Sequence, residues 1–246
     1  MARREYYLIT ALPGLGELGS SPPVSLGELL EQVSVRPDAA DVVRAILLGD
    51  DLLQRQAALA GEIEQVAPAV LTVAQARNEE PLPFYLVGEG AEAPPGRMPE
   101  DVVWAGYYRH AAQVARRRDS AFLGAWVAHE VAFRNALAEA RAKALGLEAA
   151  GYLVAPELGG EGEDFAGVIT EWGAAPNPLA GLRVLDAARW RWLDEHDPYF
   201  TFDIDELAVY AARLMLLHRW HRLAEAQRQR ARPPAGSQPS TERTDS

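Results

Sequence analysis

Positions 194–206 hold the densest group of residues in the sequence that could do chemistry. The group consists of Asp194, Glu195, Asp197, Asp203, Asp205 and Glu206. Paired carboxylates can exchange protons with a substrate, and clusters of them can bind divalent cations. One hypothesis is therefore a helical hydrolase that depends on a divalent cation. Helix caps and a solvated loop explain the same residues without any chemistry, and we favour that interpretation.

The histidines offer two further candidates for metal binding. His129 and the glutamate after it match the start of the zinc-protease pattern HExxH, but Phe133 stands where the second histidine is needed. We therefore predict that His129 is a hydrogen-bonded core residue. His218 and His221 are spaced to share a metal on one helix face, but arginines follow both of them. The spacing and the arginines favour a solvated helix end.

No pattern in the sequence predicts a cofactor. Gly14, Gly16 and Gly19 spell GxGxxG, but two serines and two prolines follow, so no helix begins where a pyrophosphate would bind. We interpret this stretch as a glycine-rich turn. The chain has no cysteine, which excludes disulfides, thiolate metal sites and a cysteine nucleophile. We expect no metal, no cofactor and no catalytic residue.

Four polar residues in the middle of the chain are harder to assign. Glu130, Arg134, Asn135 and Arg141 lie in a stretch rich in apolar residues, where charge is costly unless it is paired. The favoured interpretation is an exposed face with salt bridges, in which Glu130 and Arg134 have the spacing of an i,i+4 pair. The alternative is a polar interaction surface or a buried network between helices.

These residues belong to one long predicted helix, from Asp119 to Gly146. Asp119 is a good N-cap, Gly146 can take the left-handed conformation that ends a helix, and the alanine content gives high helix propensity. Its apolar residues recur at helical spacing and predict a buried stripe. The main members of this stripe are Phe122, Trp126, His129, Phe133 and Leu137.

The rest of the chain predicts a mainly α protein, an elongated bundle of several helices. One predicted helix carries Val42 to Leu47 and stops near Gly49, and Asp50 or Asp51 starts the next. Asp203 and Glu206 have capping-box spacing at the start of the last helix. Residues 6–9 and 84–87 are aromatic and β-branched, and we predict at most a small two-strand patch there.

We predict a single mainly helical domain over residues 1–232. An alternative arrangement has two lobes, 1–78 and 99–232, joined by a segment, 79–98, that is rich in proline and glycine. Residues 233–246 have the composition of a disordered tail.

Composition excludes several classes of partner. The formal charge of −11 opposes general nucleic-acid binding and adhesion to anionic lipid headgroups. No stretch approaches the roughly 20 apolar residues of a membrane-spanning helix, so direct membrane insertion is not expected. The default expectation is a cytoplasmic protein, which can still dock on a basic protein surface.

Three segments resemble a family of unknown function encoded in bacterial operons for V/A-type rotary ATPases. The segments are Tyr6 to Pro13, Phe133 to Arg141 and Phe202 to Trp220. The central helix is also similar to one in the all-helical socket that joins the central stalk of these ATPases to their membrane ring. That helix carries an acid, an asparagine and an arginine at similar spacing. The candidate residues are Tyr6, Tyr7, Pro13, Glu130, Arg134, Asn135, Arg141, Asp203, Asp205, Tyr210, Arg219 and Trp220.

The resemblance implies a non-catalytic accessory or coupling subunit, or an assembly factor, of a V/A-type rotary ATPase. Its expected partners are the central stalk and the membrane ring, and its expected location is the cytoplasmic face of the membrane sector. Two hypotheses stay open beside it: the cation-dependent hydrolase, and a stand-alone helical scaffolding protein with a different partner.

Overall fold

The computed structural model of the protein describes residues 5–87, 98–160 and 162–231, and these residues form helices without any strand. The predicted mainly α class is therefore confirmed for the described part of the chain. The α-helices are α1 (Tyr6–Ala11), α2 (Leu26–Val33), α3 (Pro37–Leu59), α4 (Val73–Ala76), α5 (Phe84–Val87), α6 (Pro99–Arg118), α7 (Ala121–Leu145), α8 (Ala166–Gly173), α9 (Pro178–Glu195) and α10 (Ile204–Ala231). Two short 3-10 helices, Ala149–Tyr152 and Pro156–Leu158, follow α7.

Helices α3, α6, α7 and α10 form the body of the bundle. Helix α3 packs against α6 and α10, and α7 packs against α6 and α10. Small residues such as Ala40, Ala111 and Ala212 are buried in α3, α6 and α10, where small side chains allow close helix packing. One hydrophobic core contains residues from both 1–78 and 99–232.

Helix α7 matches the predicted central helix, but its first cap is different. Ser120 is the N-cap, and its Oγ accepts a hydrogen bond from the backbone N–H of Leu123 at 3.1 Å. Asp119, which we predicted as the cap, instead ends α6 with a left-handed φ of 54°. The α6–α7 connection is so short that Asp119 is used to close the preceding helix. The left-handed Gly146 at the other end and the buried apolar stripe are confirmed.

The break predicted at Gly49 is wrong, because α3 runs through it without interruption. Helix α3 is buried on nearly all sides between Ala39 and Leu52. That packing outweighs the cost of about 1 kcal/mol of a glycine inside a helix. The hydroxyl of Tyr107 lies against Gly49, where a Cβ would come within 2.8 Å of it.

Asp50 and Asp51 are therefore buried inside α3 and do not begin a helix. The carboxylate of Asp51 accepts hydrogen bonds from the backbone N–H groups of Ala69, Val70 and Leu71, at 2.7–2.8 Å. These contacts attach the segment before α4 to the middle of α3. They also satisfy a carboxylate that burial would otherwise make costly.

The predicted two-strand patch is wrong as well, since residues 6–9 and 84–87 lie in the short helices α1 and α5. Short apolar runs do not distinguish a strand from a buried helical turn, and here local backbone hydrogen bonds stabilise the turns. Helix α5 crosses α6 at Gly106, where a Cβ would be 2.2 Å from the carbonyl oxygen of Leu86.

Two parts of the predicted organisation lie outside the described residues. They are positions 88–97 of the proposed joint and the proposed tail at 233–246. None of the described helices is both long and apolar enough to cross a membrane.

Candidate functional site

A charged network occupies the middle of the bundle, and Asp186 is its centre. Asp186 lies in α9 and is fully buried, together with apolar residues of the same helix such as Leu185 and Leu193. Its Oδ1 accepts hydrogen bonds from Nη1 of Arg189 at 3.1 Å and Nη1 of Arg219 at 3.0 Å. Its Oδ2 accepts one from the indole N–H of Trp220 at 3.1 Å. Three donors therefore satisfy this buried carboxylate.

Helix α7 joins the network through Glu130. Nε and Nη2 of Arg189 donate to the two carboxylate oxygens of Glu130 at 2.7 and 3.1 Å, which is a bidentate pair. Burial alone raises the pKa of Glu130, but the charge and hydrogen bonds of Arg189 outweigh it and hold the pKa below its usual value. Burial also opposes the charge of Arg189, yet the same pairing raises the pKa of its guanidinium. Both groups are therefore charged at neutral pH.

Helix α3 joins the network through Asp50. Nε of Arg219 donates to Asp50 Oδ1 at 3.3 Å, and Arg222 and Gln54 donate to Oδ2. We use the name central network for Asp50, Glu130, Asp186, Arg189, Arg219 and Arg222. It connects α3, α7, α9 and α10. Removing one partner of a buried ion pair typically costs about 3–5 kcal/mol, so the network holds these four helices in one arrangement.

A cavity of about 610 Å³ lies beside the central network. Its charged lining residues are Asp101, Glu130, Arg134, Arg141, Arg189 and Arg219. Its aromatic lining residues are Trp104, Tyr107, Tyr108, Trp126 and Tyr152. Four arginines and two carboxylates therefore line a largely aromatic and aliphatic space.

Two tyrosines of α6 bring hydroxyl groups to this cavity. Tyr107 and Tyr108 are each at most 4% exposed, and burial raises the pKa of both phenols. Both therefore stay protonated and can donate a hydrogen bond. Neither hydroxyl is hydrogen-bonded within the described residues. Gly49 leaves the space that the Tyr107 hydroxyl occupies.

Two arginines of α7 lie at the cavity two helical turns apart. Nη2 of Arg134 is 3.3 Å from Oδ1 of Asp101, and its guanidinium lies over the Trp104 ring at 4.8 Å. Arg141 is exposed, and its guanidinium lies 5.0 Å from the ring centre of Trp172. Arg141 forms no ion pair with any residue in the described ranges. One cation at the cavity is therefore left without a carboxylate.

The structure decides between the two interpretations of the central helix. Glu130 belongs to a buried network, and it pairs with Arg189 instead of the predicted Arg134. Asn135 is also buried, and its amide bonds both the N–H and the carbonyl of Val154 at 2.8 and 3.0 Å. The exposed, salt-bridged face is therefore wrong for Glu130 and Asn135, whereas Arg141 is exposed as predicted but forms no ion pair within the described residues. Long-range partners on α9 and after α7 replace the local pairs that the spacing indicates.

Of the other candidate residues, Arg219 and Trp220 belong with this site because both contact Asp186. Tyr210 and Pro13 are brought together elsewhere, since the Tyr210 hydroxyl donates to the carbonyl oxygen of Pro13 at 3.0 Å. This bond attaches the N-terminal segment to α10.

The two N-terminal candidates, Tyr6 and Tyr7, are exposed by 50% and 87%. The ring of Tyr6 contacts that of Phe202 at 4.9 Å between centroids. Phe200, two residues before Phe202, is 80% exposed. We use the name aromatic patch for Tyr6, Tyr7, Phe200 and Phe202, because Tyr6 contacts both Tyr7 and Phe202 and Phe200 lies two residues before Phe202.

The acidic residues at 194–206 do not converge on one site; five of them have structural partners, and Glu195 is exposed. Asp194 and Asp197 pair with Arg213 at 2.5 and 2.7 Å. Asp203 accepts hydrogen bonds from the first N–H groups of α10. We use the name junction cluster for Asp194, Asp197, Asp203, Asp205, Glu206 and Arg213. In the part of the chain that the structure describes, no group of three or more metal-ligating residues is assembled.

The other two acids of the junction cluster stabilise helix starts. Asp205 accepts from the Ser120 hydroxyl at 2.6 Å and from the N–H of Ala121 at 3.1 Å, so it joins the start of α7 to α10. Glu206 accepts from the N–H of Phe202 at 2.7 Å, which closely matches the predicted capping box. Helix capping thus accounts for these side chains.

Two of the histidines considered as metal ligands, His129 and His218, are hydrogen-bonded to other protein groups. His129 is confirmed as a hydrogen-bonded core residue, with Nδ1 at 2.5 Å from Glu163 and the ring stacked on Trp192. The solvated helix end is wrong for His218, because its Nε2 is 2.7 Å from the carbonyl oxygen of Val24. Burial lowers the pKa of His218.

Comparison of the chain with family models, curated proteins and solved structures finds no match. The central network and the cavity therefore have to be interpreted from their own chemistry. Residues that sequence reasoning missed include Asp50, Asp101, Tyr107, Tyr108, Asp186 and Arg189. For Asp186 a signal exists, since this acid lies one helical turn after Leu182, directly follows Leu185 and has an arginine, Arg189, at i+3.

Proposed function

We propose that the protein is a non-catalytic accessory or coupling subunit of a V/A-type rotary ATPase. The proposal starts from the resemblance of three segments of the chain to a family from ATPase operons. One observation supports it further. Glu130, Arg134, Arg141 and Arg219, which come from two of those segments or lie beside them, line one cavity in the middle of the bundle.

The physical character of the bundle suits a protein that connects others. The central network ties four helices through ion pairs whose loss is costly, so the body resists changes in helix arrangement. A coupling subunit has to keep its shape while the stalk and the membrane ring exert forces on it from opposite sides. The carboxylates of the junction cluster are occupied by helix caps and by Arg213, which leaves the hydrolase hypothesis without a specific observation in its favour.

The aromatic patch is the contact surface that we propose for the ATPase partner. Tyr7 and Phe200 are both at least 80% exposed, and exposed aromatic side chains are among the residue types most enriched at binding hot spots. Phe200 and Phe202 also have left-handed φ values of 63° and 52°, which are unusual for bulky residues. Such strain is often found at functional sites.

A tagged pulldown from gently solubilised native membranes tests the proposal. We expect stalk and ring subunits of the ATPase at near-equal amounts, identified by mass spectrometry. Recovery of only partly assembled complexes would make the protein an assembly factor. If the wild-type protein recovers another partner and no ATPase subunit, the proposal is wrong and a scaffolding role replaces it.

A pair of variants tests the contact surface. The double variant Tyr7→Ser with Phe200→Ser should lose the ATPase subunits, because it removes both exposed rings. Phe84→Ser removes an exposed ring from α5, which packs against α6, so it is the matched control and should retain them. Equal recovery by both variants would show that the aromatic patch is not the contact.

A further inference from the structure

We infer that the central cavity is a binding site for a small amphipathic organic anion. The ligand class is a compound with an apolar body and a single carboxylate, sulfonate or phosphate group. The inference does not rest on the proposed ATPase role. It rests on the size of the cavity, its excess positive charge, its unpartnered hydrogen-bond donors and its apolar walls.

The size of the cavity fits a small organic molecule. Its volume of about 610 Å³ lies inside the range of roughly 300–1,000 Å³ that ligand pockets occupy. It lies between helices of a bundle, a position where ligand sites are often built. A free inorganic phosphate would leave most of this space and all of its apolar walls without contact.

The charge at the cavity calls for one anion. The central network together with Asp101, Arg134 and Arg141 contains five arginines and four carboxylates in the described residues. Each arginine except Arg141 has a carboxylate within 4.0 Å. The local excess of one positive charge stands out in a chain whose formal net charge is −11. A single anionic group would balance it.

The hydrogen-bond donors point to the same ligand. Tyr107 and Tyr108 are more than nine-tenths buried and line the cavity, yet their hydroxyls have no partner among the described residues. Neither phenol oxygen is among the fully buried atoms without a partner, so both hydroxyls are accessible from the cavity and can donate into it. A ligand oxygen inside the cavity can therefore accept a hydrogen bond from either phenol.

The walls select a ligand with an apolar body. Trp104 and Trp126 supply aromatic surface, and Met215 supplies a flexible apolar side chain. Aliphatic residues complete the lining, namely Ile46, Leu53, Leu137, Leu145, Leu147, Leu182 and Leu185. Burial of an apolar body against these side chains provides the binding energy, while Arg134 and Arg141 select the charge.

The test uses anilinonaphthalene sulfonate as the probe, on the purified full-length protein. Its fluorescence titration should saturate at one molecule per chain. Arg141→Gln should weaken binding about tenfold or more, because a charge-assisted contact is lost. Arg116→Gln, at an exposed arginine of α6 that does not line the cavity, is the matched control and should bind like the wild type.

Two further measurements separate charge from space. Phenylnaphthylamine, the uncharged analogue of the probe, should bind wild type and Arg141→Gln alike. Ala138→Trp fills the cavity without changing charge and should abolish binding of both compounds, with the helical circular dichroism unchanged. The inference is overturned if Arg116→Gln weakens the sulfonate as much as Arg141→Gln, or if Ala138→Trp leaves binding intact. A failed pulldown of ATPase subunits has no bearing on these results.

Discussion

The central network and the junction cluster contain similar numbers of charged residues, but the charges are stabilised by different surroundings in the two regions. In the junction cluster, Asp194 is 59% exposed and Arg213 contacts it from the adjoining helix. In the central network, Asp186 is fully buried and binds two arginines and an indole. The first cluster is dense along the sequence, and the second is dense only in space. A run of charges is therefore a poor guide to where charge matters for the fold.

The largest expected effect comes from breaking the central network. Asp186→Asn keeps the shape of the side chain but leaves two buried arginines with one carboxylate fewer. We expect the free energy of unfolding to fall by about 3–5 kcal/mol, as measured by urea denaturation. A loss of less than about 1 kcal/mol would show that the network is not the main constraint on the helices.

Acidification should weaken the central network at Glu130. The pKa of Glu130 is below its ordinary value of 4.5 in the folded protein, so its contribution to stability is present above pH 4.5 and is lost as the pH falls through the folded pKa. Glu130→Gln cannot be protonated in this way. As the pH falls below 4.5, the wild type should therefore lose its advantage in unfolding free energy over Glu130→Gln. Because one group titrates, this loss should be less than about 1.4 kcal/mol per pH unit. A constant difference would contradict the assignment.

Breaking a cap in the junction cluster should cost less. Asp203→Ala removes the acceptor for the first N–H groups of α10, and we expect a loss of about 1 kcal/mol in urea denaturation. Asp203→Asn is the control, because asparagine caps almost as well and should keep most of the stability. If the asparagine variant is as unstable as the alanine variant, the charge of Asp203 and not its capping matters.

The smallest effect is expected at the most exposed carboxylate of the junction cluster. Asp194→Asn removes an ion pair with an arginine, as Asp186→Asn does, but water already screens Asp194. We expect a loss of less than about 1 kcal/mol in the same assay. Equal losses at Asp186 and Asp194 would remove the distinction between the two regions.

Local signals in the sequence predict helices well where they agree. Helix α7 is long, rich in alanine and free of breakers, and its left-handed Gly146 and buried stripe follow from those features. The start of α10 is similar, because Asp203 and Glu206 act within one turn. Each of these interactions joins residues that are close along the chain.

A buried network between helices was one of the two alternatives for Glu130, but its partners could not be predicted, because they are far apart along the chain. Asp186 and Arg219 are separated by 33 positions, and Asp50 and Arg219 by 169. No periodicity marks such pairs, and a charge on a helix is more often exposed than buried. The break predicted at Gly49 was wrong for a related reason, since packing from α6 and α10 overrides the local preference of glycine.

Gly106 and Gly49 differ in whether a second substitution could make room for a larger residue. At Gly106 an added Cβ would meet the backbone carbonyl of Leu86 at 2.2 Å, and a backbone atom cannot rotate away. No single substitution elsewhere compensates, so this position should stay invariant as sequences diverge. At Gly49 the main obstacle is the Tyr107 hydroxyl at 2.8 Å, which replacement of the tyrosine by phenylalanine removes, and the ring carbon Cζ at 3.2 Å then has to move only a few tenths of an ångström. Positions 49 and 107 should therefore covary. Related sequences that keep both glycine and tyrosine at these positions should also keep the phenol that lines the cavity.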